Sequence, residues 1–152
     1  MTENEVRKII EIDASPDIVF KALTNIEDLM QWFPDRGIFE PRVGGKMSFM
    51  FLAATSKMDK DHLLQGEILE FVPDKKLSYT FIPDDTYIPD GVRAPPTIVT
   101  WNLEEISKNK TRITLVHTGF TKELDRLFKE VTAGWNYFTG RLVQYCKGKS
   151  KN

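Results

Sequence analysis

The sequence predicts an α+β fold, in which a curved antiparallel sheet of about six strands wraps one long C-terminal α-helix. Three observations carry this reading. From Thr121 onward, Leu124, Leu127, Phe128, Val131, Trp135, Phe138, Leu142 and Tyr145 follow the spacing of one helical stripe. Lys122, Glu123, Asp125, Arg126, Lys129, Glu130, Arg141 and Gln144 fall between them and belong on the wet face. Upstream, most of the chain alternates with a period of two, as half-buried strands do. Only one interruption reads as helical, so the long aromatic stripe must be covered by a sheet, and such a grip often leaves a cavity.

The elements follow in order. Residues 6–13 alternate loosely and are rich in isoleucine, which predicts a first strand. Ser15-Pro16 opens a helix over 16–24, with serine as the expected N-cap and proline at the first helical position. Ile18, Val19, Ala22 and Leu23 point inward from it, and Asn25 breaks it. A second short helix over 26–32 gathers Leu29, Trp32 and Phe33 on one side, and Pro34 ends it. After the Gly44-Gly45 turn, 46–53 is a strand with Met47, Phe49 and Phe51 on one face. Residues 63–72 form the next strand, with Glu67 and Glu70 on opposite faces, and Pro73-Asp74 turns the chain. Residues 76–82 put Leu77, Tyr79 and Phe81 on one face. Residues 97–105 do the same with Val99, Trp101 and Leu103. The strand at 111–118 closes the sheet with Ile113, Leu115 and His117 on one face. Thr121 is the expected cap of the long helix.

Composition narrows the function. A chain of 152 residues is expected to be one domain, with a core over about 6–146 and a frayed basic tail over 147–152. The net charge of -1, with acids and bases interspersed, argues against a nucleic-acid partner, which requires a basic face. No apolar run is long enough for a membrane span. The start lacks a positive stretch followed by an apolar core, and Cys146 is the single cysteine. A cytoplasmic protein without an internal disulfide is therefore expected.

Several strings now combine: IDASPDIVFKALTN, LMQWF, VGGKMSF, QGEILEFVPDKKLSYTF, TIVTWNLEE, TRITLVHTGF and the GW of the last helix. Together they resemble the family homologous to the activator of the heat-shock protein 90 ATPase, within the START-like helix-grip (SRPBCC) superfamily. The resemblance spans about residues 6–145. It implies a deep hydrophobic cavity between sheet and long helix. Superfamily members bind lipids, sterols or polyketides, and a few catalyse cyclisations or hydrolyses. The eukaryotic activator resembles this chain only in its carboxy-terminal domain, and a domain of this size is more similar to the small, mostly bacterial members.

The candidate cavity residues are Trp32, Phe49, Phe51, Tyr79, Phe81, Trp101, His117, Trp135 and Phe138. Two readings stay open for them: walls of a small-molecule site, or a packed core. His117 either meets a ligand and titrates near neutral pH, or is satisfied by a neighbour near the start of the last helix. Tyr79 and Thr100 offer further polar contacts. Trp32 and Phe33 either gate the cavity or simply pack. Two long loops, 54–62 and 83–96, are candidate rims. Asp59, Asp61 and His62 in the first read as a solvated turn, and no metal or cofactor is expected. No catalytic residue is assigned: a nucleophile elbow and a phosphate loop are missing, and Cys146 reads as a structural thiol. Binding of a small hydrophobic ligand is thus the leading function. A stress-linked interaction module with a chaperone or homodimer contact is the second, and a cyclase- or hydrolase-type enzyme the third.

Overall fold

A computed structural model describes residues 4–53, 61–84 and 96–150. The elements are β1 (Asn4–Ile12), α1 (Pro16–Thr24), α2 (Ile26–Leu29), β2 (Arg36–Phe39), β3 (Lys46–Phe51), β4 (His62–Val72), β5 (Lys76–Pro83), β6 (Thr97–Ser107), β7 (Lys110–Phe120), a 3₁₀ turn (Lys122–Leu124) and α3 (Asp125–Ser150). Among the described residues, seven strands form one sheet in the order β1-β7-β6-β5-β4-β3-β2. Every neighbouring pair is antiparallel. The two helices after β1 carry the chain from one sheet edge to the other, so β1 and β2 are the two edges. This is the α+β helix-grip fold that the pattern predicts, with one strand more.

The additional strand is β2. Its four residues are too short for alternation, and only Phe39 is buried. It pairs with β3 through Arg36↔Met50 to Phe39↔Met47. The other strand faces agree with the period-two reading. Val99 pairs with His117, Trp101 with Leu115, and Leu103 with Ile113, and all six side chains are buried. One phase differs. β4 carries a bulge between Ile68, opposite Tyr79, and Glu70, opposite Ser78. The extra residue resets the alternation, so Glu67 and Glu70 are both exposed rather than on opposite faces. Phe71 then returns inward and meets the edge of Phe20, ring centroids 5.2 Å apart.

The helix ends also depart from the simple rules. Pro16 starts α1, but Ser15 does not cap it; its hydroxyl donates to the Asp17 carboxylate instead. Asn25 closes α1 with its backbone N–H to Lys21 O, and caps α2 with its side-chain oxygen on Asp28 N, 3.2 Å. α2 stops at Leu29, which leaves Trp32 and Phe33 in the following turn. Thr121 does not cap the long helix either, because its hydroxyl lies 3.4 Å from Glu123 Oε2. The basic tail is helical through Ser150. Among the described residues, no helix is long and apolar enough to cross a membrane.

The core lies between the concave sheet face and α3, with α1 closing one end. Leu124, Leu127, Trp135, Phe138, Leu142 and Cys146 of the terminal segment are buried in it. Two glycines sit at tight points on the far side of the sheet. Gly44 sits at φ +81 in the turn before β3, where its N–H donates to Ile68 O. Gly66 allows β4 to run against β5: a Cβ there would lie 2.1 Å from Thr80 O.

Candidate functional site

The interior has two parts, a hydrogen-bonded aromatic layer and a small apolar pocket beside it. In the layer, the polar handle of each large ring is spent on the protein itself. Trp32 donates its indole N–H to Ala22 O at 2.9 Å and stacks on Phe33 with centroids 5.0 Å apart. Trp101 donates to the Tyr79 hydroxyl at 3.1 Å, and burial holds that phenol well above its ordinary pKa. Trp135 donates from α3 to His117 Nδ1 at 3.0 Å.

His117 is the pivot. Because Nδ1 accepts from Trp135, the neutral ring carries its proton on Nε2. Nε2 then donates to Thr97 Oγ1 at 2.8 Å, and the Thr97 hydroxyl donates to Phe81 O at 3.1 Å. The imidazole is fully buried, with Phe81 and Phe120 each 4.5 Å away by centroid. Burial lowers its pKa to about 3. The ring is satisfied internally, but by Thr97 and by Trp135 in the middle of α3 rather than by a neighbour near the start of that helix. A histidine held neutral and bonded at both nitrogens joins β7, β6, β5 and α3.

The pocket is a cavity of about 130 Å³ between the ends of β3 to β5 and the middle of α3. Phe33 and Phe51 form one side, Leu64 and Phe81 the floor, and Leu127, Val131, Trp135 and Phe138 the helix side. Gly134 also lines it, and a Cβ on this residue would meet nothing within 4 Å. Of the predicted cavity residues, Phe51, Phe81, Trp135 and Phe138 therefore reach the pocket. Trp32, Phe49, Tyr79, Trp101 and His117 belong to the packed layer behind it. Trp32 is 1% exposed and pinned by its hydrogen bond, so it is not placed as a gate, whereas its neighbour Phe33 is a wall residue.

Three polar residues that the sequence reading did not find, His62, Asp84 and Glu130, also line the pocket. His62 is the first residue of β4, paired with Phe51, and is buried rather than part of a solvated turn. Its Nδ1 lies 3.1 Å from Asp84 Oδ2, which also accepts from the Leu63 N–H at 3.2 Å. A carboxylate only accepts, so the proton of this contact sits on His62 Nδ1. Glu130 is exposed and Asp84 half-buried, so both meet solvent. The available signal was alternation: His62 is in phase with Leu64, two residues on. Asp61 turns away and accepts from the Ala53 N–H at 2.8 Å. Asp59 and the middle of the second predicted rim, residues 85–95, lie outside the described residues.

At the far end of α3, Cys146 is fully buried, and burial together with the Asp28 charge pushes its thiol up to about 12. Tyr145 donates to the Asp28 carboxylate and ties α3 to α2.

Comparison with known proteins sets this architecture in context. No curated protein matches the chain. A solved structure of a Mesorhizobium loti protein superposes with a TM-score of 0.77 at 24% identity, covering 93% of this chain and 96% of that one. The Aha1 dimer from Colwellia psychrerythraea gives 0.74 at 19% identity, covering 95% and 96%. An HSP90 activator from Plasmodium falciparum gives 0.69 at 17% identity, covering 91% and 92%. At these identities the likeness is one of fold. The family model described as activator of Hsp90 ATPase homolog 1-like protein matches residues 13–147, nearly the whole chain, and the protein belongs to that family.

Proposed function

We propose that this protein binds a small, largely apolar molecule in the pocket between β3 to β5 and α3. The supporting observation is the pocket itself: about 130 Å³, walled mainly by phenylalanine, tryptophan, leucine and valine side chains. Size decides what fits. An apolar cavity of roughly 150 Å³ in another protein stays dry and takes benzene, whereas drug-sized sites span about 300–1,000 Å³. The guest is therefore a single ring or short chain, or such an end of a longer lipid or polyketide whose remainder stays outside. Apolar burial supplies the affinity, about 25 cal/mol per Å² before the costs of immobilisation. The reading assumes a cytoplasmic setting, where a single buried thiol stays reduced. Native mass spectrometry of protein purified gently from its host tests it. A single co-purifying small hydrophobic species supports the proposal. A clean apo mass that no member of an aromatic and short-chain panel shifts removes it.

A second reading, a protein-interaction module, is supported by the family's description and by the likeness to the Plasmodium HSP90 activator. The dimeric Colwellia relative supports a homodimer in the same way. Stimulation of an HSP90 ATPase by the purified chain, with sedimentation to give its oligomeric state, tests both. A cyclase- or hydrolase-type enzyme is the third reading; it requires polar groups clustered in the cavity beyond one histidine, and His117 itself is bonded to Thr97 and Trp135.

A further inference from the structure

β1 pairs with β7 on one side, and among the described residues no strand lies on its other side. It is regular from Val6 to Ile12, and a long edge of this kind offers a row of backbone N–H and C=O groups to a further strand. Arg7, Ile9 and Glu11 share its convex face, all exposed, with Ile9 at 63%. Charges are the usual protection of an edge, but here their order matches rather than clashes when the strand meets its own copy. Two identical strands running antiparallel across a two-fold axis pair residues of like facing, so the axis passes through a residue. Centred on Arg7 or Lys8, that cation opposes its own copy. Centred on Ile10, Ile9 faces Glu11 and only residues 8–12 overlap. Centred on Ile9, residues 6–12 overlap, Ile9 meets Ile9 at the axis, and the Arg7 of each copy lies opposite the Glu11 of the other. On the concave face of that register Lys8 lies opposite Ile10, and its ammonium is already held by Asn136 Oδ1 at 2.6 Å. Glu5 comes level with Asp13, beyond the end of the strand at Ile12.

We infer that β1 is the interface of a homodimer and pairs with the same strand of a second copy, centred on Ile9, so that the two sheets continue into one. The inference rests on the homodimer reading above and assigns its surface and register. In the single chain Arg7 holds Glu5 at 3.0 Å, and Glu11 holds Arg112 at 3.0 Å and Lys110 at 3.8 Å. These pairs are exposed and contribute little, so drawing Arg7 toward the second copy costs little. Glu11 then lies between Arg112 of its own sheet and Arg7 of the other.

The test is sedimentation of the full chain over a wide concentration range, with circular dichroism to report that each variant folds. The expected result is a monomer–dimer equilibrium that Arg7→Glu or Glu11→Arg alone weakens about tenfold, since each change acts twice across the axis, and that the two together restore to within about threefold. Ile9→Cys, at an exposed position, supplies the register. Opposed residues of antiparallel strands have Cα atoms within disulfide range, so mild oxidation should link two copies through it. Cys146 is buried and does not compete. Arg7→Cys should not link, because its two copies lie four residues apart along the paired strands, about 14 Å. A dimer that is indifferent to the single reversals, that the double reversal does not rescue, or that links through Arg7→Cys and not through Ile9→Cys overturns the inference and leaves the homodimer reading standing. A chain that stays monomeric at every concentration overturns both.

Discussion

His117 is neutral and unexposed in the folded protein and has an ordinary imidazole in the unfolded chain, which fixes a pH dependence. Its pKa is lowered to about 3 by burial. Between the unfolded value near 6.5 and about 3, the unfolded state binds the proton and the folded state does not. Stability therefore falls as pH drops through that window, by about 2 kcal/mol between pH 7 and pH 5 from this residue alone. Denaturant unfolding at those two pH values should show the loss, and His117→Gln, less stable at pH 7, should lack most of that slope. Cys146 gives a second expectation at this scale. A fully buried thiol pushed up to about 12 holds almost no thiolate at neutral pH. A disulfide reagent should leave it unmodified in the native protein and label it rapidly once urea unfolds the chain; labelling at the rate of a free thiol in native buffer would contradict the buried position. The inward direction of His117 was legible from its phase with Ile113 and Leu115. Its partner was not, because Trp135 comes from a helix whose rotation against β7 no local periodicity encodes. His62 escaped notice because it borders a polar segment, where composition outweighed a two-residue phase relation.

Among the elements, α3 carries a conflict between stability and the pocket. Gly134 and Gly140 both lie inside this helix, where glycine costs about 1 kcal/mol relative to alanine. A Cβ meets nothing within 4 Å at either position, so neither glycine is needed for packing. Gly134 lines the pocket, whereas Gly140 lies in an open groove with Tyr137 and Arg141. Alanine at either site should raise the melting temperature by about 2–4 °C. Only Gly134→Ala should weaken binding of a ring-sized guest, because its methyl takes pocket volume. Calorimetric melts and ethylbenzene titrations of the two variants check this, and equal affinities would remove Gly134 from the site. The long helix was legible because its stripe runs from Leu124 to Tyr145 without a break in spacing. β2 was not, since four residues with one buried side chain give no pattern. The β4 bulge was equally silent: Leu69 looks like any strand residue, yet it resets the faces of Glu70 and Phe71. The Ser15 and Thr121 caps failed because nearby carboxylates, Asp17 and Glu123, bind the hydroxyls first.

Across the whole molecule, the order of strands and helices already pointed to a sheet gripping a helix, and the family assignment agrees. The size of the interior void was beyond the sequence. It depends on sheet curvature and on which rings interlock: Phe33 stacks on Trp135 at 5.4 Å and meets Phe138 edge-on at 5.0 Å, closing much of the space. What remains is a ring-sized cavity rather than a chamber for a whole sterol. The central claim is that this cavity is real, apolar and open to small guests. A crystal structure under xenon pressure tests it most directly, since xenon enters dry apolar voids of this size. The account predicts one ordered xenon site among Phe33, Phe51, Trp135 and Phe138. A well-diffracting crystal with no xenon there, and with side chains filling the space between Phe81 and Val131, would contradict it.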